Sequence, residues 1–294
     1  MLSNFDISAR RKVIQLLALA LTNREAGNLL TGRIYKGAAK NLCAPGLNCY
    51  SCPAATLSCP LGALQAVGGS AGFSFSFYAT GFLLLLGAIL GRAVCGFLCP
   101  FGLLQELLHR LPGRKWQLPS PLRYVKHLLL AAFVLLLPAV WTNYAGMGVP
   151  AFCQYICPAG TLEGGLPLLA AHESYRQAAG GLLLWKCLLL AVTVLGSIKI
   201  YRFFCRSICP LGAIYGWLNR VSLYRVQVDR ELCLSCGRCQ AACPLGINPA
   251  GQPDSPECIR CGQCQKACDR GAIKCGFIIK EQFPFAGLSQ HKMK

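Results

Sequence analysis

The chain of 294 residues is short of charged side chains, and above all of acidic ones. Charged residues make up 14% of the sequence, and only 11 residues are Asp or Glu, whereas an average soluble domain is about one quarter charged. So few charges, together with 54% hydrophobic residues, exclude an ordinary soluble globular protein. The composition predicts an integral membrane protein with a soluble appendage.

The sequence also lacks the motifs of most cofactors. It contains no Cys-x-x-Cys-His for covalent haem, no His-Glu-x-x-His, no glycine-rich dinucleotide loop and no P-loop. With four histidines in all, haem held by histidine pairs is not expected, and His109 and His127 are interpreted as interfacial residues. His127 lies at the end of an apolar segment, where it could hydrogen-bond to a quinone, although one histidine is weak evidence for a quinone site.

Positive charge is abundant but unevenly placed. A net charge of +18 would indicate nucleic-acid binding in a soluble protein. Here residues 41–80 carry no Lys or Arg and residues 142–180 carry only Arg176, whereas residues 92–127 carry six and residues 202–294 carry thirteen. This distribution follows the positive-inside rule of membrane proteins. We therefore expect no nucleic-acid partner, and loops that sort onto two sides of a membrane.

Several apolar segments are long enough to cross a bilayer, which takes about 20 residues. The three clear ones are residues 73–92, 124–145 and 181–201. The segment 12–32 is interrupted by Arg24 and Glu25. It either spans as a tilted helix or lies at the interface as an amphipathic helix. Pro138 is expected to kink the second clear span, and Lys186 is expected to snorkel to the outer interface.

Four spans give a closed topology with both termini on the basic side. The expected fold is mainly α: polytopic membrane helices, about four spans in two pseudo-symmetric repeats, with a C-terminal two-cluster bacterial-ferredoxin α+β domain. Residues 1–223 form the membrane domain with cysteine sites on both faces, and residues 224–294 form the cytoplasmic ferredoxin-like domain. The expected location is the prokaryotic cytoplasmic (inner) membrane, with both termini cytoplasmic and the spans in contact with lipid.

Cysteine is the residue that the sequence has in excess, with 20 copies. Eight of them form two C-x2-C-x2-C-x3-C runs, as in bacterial two-cluster ferredoxins, where the fourth cysteine of each run ligates the other cluster. Eight cysteines in this interlocked spacing make structural zinc a weak alternative. The predicted ligands of two [4Fe–4S] clusters are Cys233, Cys236, Cys239 and Cys268 for one, and Cys258, Cys261, Cys264 and Cys243 for the other. The tight loops are expected to need Gly237 and Gly262.

Three Cys-x-x-x-Cys-Pro motifs lie beside the apolar segments, each a half-set of cluster ligands. They and a fourth Cys-Pro share one continuation, in the order Cys59-PLGALQ, Cys99-PFGLLQ, Cys157-PAGTLEG and Cys209-PLGAIYG. An outer half-site, a span and an inner half-site thus occur twice. This order predicts two parallel repeats related by an axis along the membrane normal, which would bring equivalent half-sites together.

On the inner side, the repeat pairs two complete motifs. Together they supply the four thiolates of one shared [4Fe–4S] cluster, from Cys95, Cys99, Cys205 and Cys209. Buried free thiols at helix ends are the alternative.

The outer side has six cysteines, which do not divide by four. The repeat favours Cys59, Cys153 and Cys157, completed by Cys52 or Cys49, as one [4Fe–4S] site, and the remaining two cysteines could form a disulfide. The alternative is a self-contained site formed by Cys43, Cys49, Cys52 and Cys59.

The paired motifs Cys95-GFL-Cys99-PFG and Cys205-RSI-Cys209-PLGA, with the ferredoxin cysteines and four spans, resemble the NapH-type membrane polyferredoxins and the related NosR-type and CcoG-type proteins. The resemblance covers about residues 73–275. It implies an integral electron carrier between the quinol pool or cytoplasmic donors and periplasmic acceptors. The additional outer cysteines depart from the family pattern and put a nitrate-specific role in doubt.

These features predict an integral membrane iron–sulfur protein with four [4Fe–4S] clusters that relays electrons between cytoplasmic carriers or the quinol pool and an acceptor or partner on the other face, in a direction that the sequence leaves open. We expect an electron-transfer subunit of a multi-subunit oxidoreductase complex rather than a stand-alone enzyme, with no catalytic residue of its own. Ferredoxin, flavodoxin or a catalytic reductase subunit could dock on the basic inner face, although anionic lipid would also explain that charge. The alternatives are a quinol dehydrogenase subunit and a redox-sensing or metal-reducing assembly protein.

The hydrocarbon core that such a relay must cross is about 30 Å thick. Either the half-sites dip into the bilayer, or a quinone or a partner's cofactor bridges the gap.

Overall fold

Helices joined by short cysteine-bearing turns make up most of the chain in a computed structural model, which describes residues 7–68, 77–142 and 148–277. The helices of the first half are α1 Ile7–Thr22, α2 Asn28–Thr31, α3 Pro60–Gly68, α4 Phe77–Leu90, α5 Ala93–Phe97, α6 Pro100–Leu108, α7 Leu122–Leu129 and α8 Leu137–Val140. A 3-10 turn covers Ala38–Asn41, and a π-helical segment, Leu130–Leu136, joins α7 to α8.

The second half begins with more helices and ends in a small sheet. Its helices are α9 Ala151–Tyr155, α10 Leu166–Ala171, α11 Glu173–Gln177, α12 Gly181–Lys199, α13 Phe203–Ser207, α14 Pro210–Leu218, α15 Arg238–Ala241 and α16 Gln263–Lys266, with a π-helical segment at Gly160–Gly165. The strands are β1 Tyr224–Val228 and β2 Ile273–Phe277, which pair antiparallel with Tyr224 opposite Phe277 and Val228 opposite Ile273.

Within the described ranges, two helices are long and apolar enough to cross a membrane. They are Leu122–Val140 and Gly181–Lys199, and only 22% and 17% of their most apolar stretches are buried inside the protein. A core helix of a soluble protein would be mostly covered, whereas these helices expose leucines such as Leu128 and Leu184. The mainly helical fold expected from the sequence is confirmed. α4 has 14 residues, and residues 73–76 of the span predicted there lie outside the described residues.

The N-terminal apolar segment does not form one helix to residue 32. α1 ends at Thr22, whose hydroxyl donates to the Ala18 carbonyl at 2.7 Å. The chain then turns back on the loop before α3, because the Glu25 amide bonds to Ala54 O at 3.2 Å and the Thr56 amide to Thr22 O at 3.0 Å. These contacts with a distant loop end the helix where the sequence pattern would have continued it.

Pro138 acts on the turns that precede it. It lies at the start of α8, and because it has no N–H it leaves a carbonyl of the preceding turn without its helical partner. The segment Leu130–Leu136 before it is π-helical, which is a common way for a helix to absorb such a defect.

The C-terminal part rests on the ends of α4 and α14 through buried polar contacts. The Asn219 side chain donates to Ser255 O at 2.9 Å and Cys258 O at 2.8 Å, and it accepts from the Arg92 amide at 2.7 Å. Arg260 donates to Leu90 O at 3.0 Å and Asn219 O at 2.7 Å. The ferredoxin-like loops are thereby fixed against the helical part.

Candidate metal centres

The inner site consists of Cys95, Cys99, Cys205 and Cys209; its name follows the side predicted from charge. The first cysteine of each motif lies on a single-turn helix, α5 or α13, and the second precedes a helix that begins with proline, α6 or α14. All four thiols are buried and line one cavity. Burial and the neighbouring thiols raise the pKa of Cys99 and of Cys209. The structure therefore brings together the four cysteines that the repeat had paired.

Each inner Cys-Pro-x-Gly turn is closed by its glycine. The backbone amides of Gly102 and Gly212 are hydrogen-bonded to the thiols of Cys99 and Cys209. An added Cβ would lie 3.0 Å from Cys95 O at Gly102 and 2.5 Å from Cys205 O at Gly212. Glycine is needed here because the turn packs directly on the carbonyl of the first cysteine of its own motif.

A glutamine joins the two halves of the inner site. Gln105 Nε2 donates to Cys205 Sγ at 3.0 Å, and its Oε1 accepts from the Phe204 amide at 3.0 Å. Gln105 is six residues after Cys99, so its backbone belongs to the half-site of Cys95 and Cys99 and its side chain bonds to the half-site of Cys205 and Cys209.

The same contact recurs in the other half of the cysteine set. Gln65, six residues after Cys59, donates to Cys153 Sγ at 3.2 Å, and its Oε1 accepts from the Phe152 amide at 2.9 Å. Cys59 therefore faces the motif of Cys153 and Cys157, as Cys99 faces that of Cys205 and Cys209.

The outer cysteines line a second cavity of about 730 Å³, in which the lining cysteines are Cys43, Cys49, Cys59, Cys153 and Cys157. Cys52 does not line it and packs with Ala54 and Ala55 instead. Of the two candidates for the fourth outer residue, the structure thus places Cys49 at the cavity. We call Cys49, Cys59, Cys153 and Cys157 the outer site. All 20 cysteines are free thiols, so the remaining pair forms no disulfide.

One short segment separates the two sites. Leu47 lines both cavities. Its amide is hydrogen-bonded to the thiol of Cys99, and the amide of Asn48 is hydrogen-bonded to the thiol of Cys59. An added Cβ on Gly46 would lie 2.6 Å from Cys99 Cα. Consecutive residues of one loop therefore contact the inner and the outer site, and the sites share a wall rather than lying a membrane apart.

The ferredoxin cysteines form two unequal groups. The first ferredoxin site, Cys233, Cys236, Cys239 and Cys268, lines an open cleft of about 820 Å³, and Cys236 is exposed. In the second ferredoxin site, Cys258, Cys261 and Cys264 are buried, and Cys243 packs against the same small core. Gly237 and Gly262 have φ of 76° and 78°, the left-handed backbone that tight loops were expected to need. Cys275 is hydrogen-bonded to Cys264.

The second ferredoxin site lies directly against the inner site. An added Cβ on Gly96, between Cys95 and Cys99, would be 2.5 Å from Ile259 O, between Cys258 and Cys261. The two cysteine loops therefore touch backbone to backbone.

Buried charges around the inner site were not recognised in the sequence. Arg92 and Arg202 are fully buried, and the carboxylates of Glu257 and Glu106 with which they pair are at most 8% exposed. Arginines lie three residues before the first cysteine of both inner motifs, and this spacing was the available signal. Lys186, which was expected to snorkel to the outer interface, donates from its Nζ to Cys153 O at 3.4 Å.

These cysteine groups suit an iron–sulfur cubane. Each group supplies thiol ligands, and backbone amides point at several of the sulfurs. Among the described residues, no three His, Cys, Asp or Glu side chains are grouped as the ligands of one metal ion. A [4Fe–4S] cluster binds each thiolate through a different iron, so it needs a wider spacing than a single ion.

Comparison with known proteins supports this chemistry. A family model described as a 4Fe-4S binding domain matches residues 71–119, 128–166 and 179–227, and each segment contains one Cys-x-x-x-Cys-Pro motif. A second model, the LdpA Fe-S cluster-binding domain, matches residues 204–252. No solved structure matches the chain significantly.

Three relatives illustrate the range of similarity. MJ0750 of Methanocaldococcus jannaschii is 30% identical over 68% of this chain and 78% of its own length. The methylamine utilization ferredoxin-type protein MauN of Paracoccus denitrificans is 32% identical over 55% of this chain and 50% of its own. The ferredoxin-type protein NapH of Haemophilus influenzae is 26% identical over 34% of this chain and 50% of its own. The chain spans about half or less of the length of several relatives that it matches.

The cysteine groups and these matches define an iron–sulfur protein of the ferredoxin type. More narrowly, the chain belongs to the family of NapH-like polyferredoxins, whose members include ferredoxin-type electron-transport proteins.

Proposed function

We propose that the protein is an integral membrane electron relay with four [4Fe–4S] clusters. Their ligands are the inner site, the outer site and the two ferredoxin sites defined above. Clusters bound there supply one-electron transfer, and the protein supplies their positions and surroundings. The chain itself contributes no catalytic side chain, and it serves as the electron-transfer subunit of a larger oxidoreductase complex.

The observation that carries this proposal is the wall shared by the inner and outer sites. Leu47 and Asn48 are adjacent residues, and their amides are hydrogen-bonded to Cys99 and Cys59. On the other side, the Gly96 backbone touches the loop of the second ferredoxin site. The cysteine groups thus follow one another without a gap of bilayer thickness, as expected if the half-sites dip into the membrane.

The repeated glutamine contacts support the two-repeat arrangement. Gln65 and Gln105 occupy the same place six residues after a Cys-Pro and make the same pair of bonds to the other half. We propose four spans formed by α1, α4, α7 with α8, and α12, in a prokaryotic cytoplasmic membrane with both termini cytoplasmic. In this arrangement residues 1–223 are the membrane domain and residues 224–294 are the cytoplasmic ferredoxin-like domain.

The open first ferredoxin site is the proposed entry or exit point on the cytoplasmic side. Its cleft is lined by Arg230, Arg238 and Arg270, and of these Arg238 pairs with Asp269. An excess of positive charge beside an exposed cysteine suits an acidic one-electron carrier such as a ferredoxin or flavodoxin, because opposite charge steers docking.

Anaerobic iron and labile-sulfide analysis with electron paramagnetic resonance (EPR) spectroscopy tests the proposal. Four cubanes give about 16 iron atoms per chain. About 8 iron atoms per chain would mean that only the ferredoxin sites hold clusters and would overturn the membrane relay. About 12 would mean that either the inner or the outer site holds no cluster. The relay itself is tested in vesicles, where a reductant outside should reduce an acceptor trapped inside only when all four sites are loaded.

A quinol dehydrogenase subunit is the second candidate, and one observation favours it. The Nδ1 of His127 is buried and has no hydrogen-bond partner among the described residues, and the ring stacks on Trp217 at 5.2 Å. The neighbouring Lys126 pairs with Glu257, which also pairs with Arg92. An unpartnered ring nitrogen beside the inner site could accept a hydrogen bond from a quinol hydroxyl.

Quinol reduction of the protein in membranes separates the two candidates. If this site binds quinol, His127→Phe should abolish reduction by quinol and leave reduction by a soluble low-potential donor unchanged. Reduction that is indifferent to quinol in the unaltered protein would eliminate the second candidate alone.

A further inference from the structure

Two arginines cross between the halves of the inner site. Arg202 Nη1 donates to the carbonyl oxygen of Cys95 at 2.5 Å, and Arg92 Nη2 donates to that of Cys205 at 2.8 Å. Each arginine lies three residues before the first cysteine of its own motif and binds the first cysteine of the other. Each guanidinium group therefore binds the backbone carbonyl of a cysteine whose own sulfur is a proposed cluster ligand.

These two arginines belong to a buried shell of mostly positive charge. Glu106 pairs with Arg202 at 2.5 Å and Glu257 pairs with Arg92 at 3.1 Å. The same two carboxylates also serve further buried cations, which are Arg11, Lys126 and Arg206. Five cations thus accompany two carboxylates, which leaves three positive charges in excess, and of these cations Arg11 and Arg206 also lie near cysteines of the second ferredoxin site. All seven side chains are at most 8% exposed, so water screens them little.

The outer site lacks this arrangement. Pro150 occupies the position three residues before Cys153. The cations that line the outer cavity are ammonium groups, that of Lys186, which donates to Cys153 O at 3.4 Å, and that of Lys40. The carboxylate of Glu163 accepts the Cys49 amide at 2.8 Å. The glutamine bonds to sulfur occur at both sites and therefore do not distinguish them. What distinguishes them is the pair of crossed guanidinium groups.

We propose that Arg92 and Arg202 make the inner site more easily reduced than the outer site, so that an electron shared between them resides at the inner site. Reduction adds one negative charge to a cluster with four thiolates, and net charge and hydrogen bonding are among the factors that set cluster potentials. A fixed positive charge near a buried site stabilises that added charge strongly. This inference rests on the proposed function, because it requires clusters at both sites.

An EPR-monitored redox titration of the full-length, cluster-loaded protein tests it. Cys209→Ser identifies the inner signal, and Cys157→Ser identifies the outer one. In the unaltered protein the inner signal should appear at the higher potential. In Arg92→Gln, the ratio of reduced to oxidised inner cluster at a fixed potential should fall roughly tenfold, which is about 59 mV for one electron. The outer signal should stay nearly unchanged.

Matched variants separate charge from disruption of the fold. Arg92→Lys keeps the charge, so the potential of the inner signal should stay close to that of the unaltered protein. Glu106→Gln removes a negative charge and should raise the potential of the inner signal. Arg114→Gln, at an exposed position, should shift nothing. An inner potential at or below the outer one, or an unshifted Arg92→Gln protein, would overturn the inference. The comparison of the inner with the outer potential needs no arginine variant, so it can still overturn the inference if the arginine variants fail to assemble.

The result also distinguishes this inference from the function on which it rests. Absence of any inner signal from the unaltered protein would overturn the proposed ligand set. An inner signal that is present but at low potential would leave the relay intact and reject only the role of the arginines.

Discussion

Cys49 and Cys52 are three residues apart and pack against each other, yet only Cys49 of the two lines the outer cavity. Cys49 lines the outer cavity, and its amide donates to Glu163. Burial raises the pKa of the Cys49 thiol to about 12. Cys52 packs into a small cluster with Ala54 and Ala55 outside the cavity. The direction of each side chain in this loop therefore favours Cys49 over Cys52 as the fourth ligand of the outer site, a choice that the spacing of the cysteines leaves open.

Single substitutions should separate these two cysteines. We expect Cys49→Ser to lose about four iron atoms per chain, because a cubane needs its fourth thiolate, whereas Cys52→Ser should keep its iron. Iron and labile-sulfide analysis of the two purified proteins measures the difference. Equal losses from both variants, or a loss from Cys52→Ser alone, would contradict the assignment.

Glu106 is a buried carboxylate that binds Arg11 and Arg202. Burial raises the pKa of its carboxyl, but the two arginines outweigh burial and the pKa lies below its ordinary value. A carboxyl whose pKa is lower in the folded than in the unfolded state stabilises the fold above the unfolded pKa. That stabilisation is lost as the pH falls through the folded pKa.

Glu106→Gln should therefore lower the free energy of unfolding at pH 7 by about 3–5 kcal/mol, because it leaves two buried cations short of a partner. The difference from the unaltered protein should shrink as the pH falls through the folded pKa of Glu106, which lies below the ordinary value, since the folded carboxylate then becomes neutral. Denaturant unfolding in detergent at several pH values measures it. The exposed Glu173→Gln should change stability by less than about 0.5 kcal/mol at every pH.

At the scale of elements, the Cys-Pro-x-Gly turn recurs, but its glycine does not contact the same neighbour in every copy. In the complete motifs of the inner site, the glycine packs on the carbonyl of the first cysteine. In α3, which begins at Pro60 after the isolated Cys59, a Cβ on Gly62 would meet nothing within 4 Å. The turn is the same, but only the complete motif has a preceding cysteine for the glycine to touch.

This contrast predicts opposite effects of one substitution. Gly212→Ala should destabilise the protein by about 1–3 kcal/mol and weaken the inner EPR signal, because its Cβ would lie 2.5 Å from Cys205 O. Gly62→Ala should be neutral or stabilising by up to about 1 kcal/mol, since alanine favours a helix. Thermal unfolding with EPR compares them. A harmless Gly212→Ala would show that the turn can open without loss.

At the scale of the whole molecule, polar contacts fix the ferredoxin-like part on the helical part. Asn219 is fully buried and bonds to both sides of this contact, through Ser255, Cys258 and Arg92. Other buried contacts join the same two parts, because Glu257 pairs with Arg92 and Lys126 and Arg260 donates to Leu90 O.

Asn219→Ala should loosen this contact without removing any cysteine ligand. It leaves buried carbonyls and an amide without partners, at about 1–3 kcal/mol each. We expect faster amide hydrogen exchange in residues 224–277, slower electron transfer from the ferredoxin sites to the inner site, and an unchanged iron content. Gln240→Ala, at an exposed position on α15, should alter none of these. Unchanged exchange and transfer rates would show that other contacts suffice.

The sequence predicted the cysteine chemistry well because ligand spacing is local. The C-x2-C-x2-C-x3-C runs and the paired Cys-x-x-x-Cys-Pro motifs indicate iron–sulfur binding without reference to the fold, and the family models and relatives confirm that chemistry. Arg92 and Arg202 were counted only as loop charges on the basic side. Their equal spacing from the cysteines could have marked them as a pair, but their partners are far away in sequence, so that spacing could not show that they are buried.

The amino-acid sequence by itself determined the mainly helical, apolar character of the chain and its iron–sulfur chemistry, because hydrophobic content and ligand spacing are properties of short segments. Only the tertiary structure decided that α1 ends at Thr22, that Cys49 rather than Cys52 lines the outer cavity, and that one loop through Leu47 separates the inner and outer sites. Each of these depends on contacts between distant segments. Such contacts form only when the buried surfaces pack together.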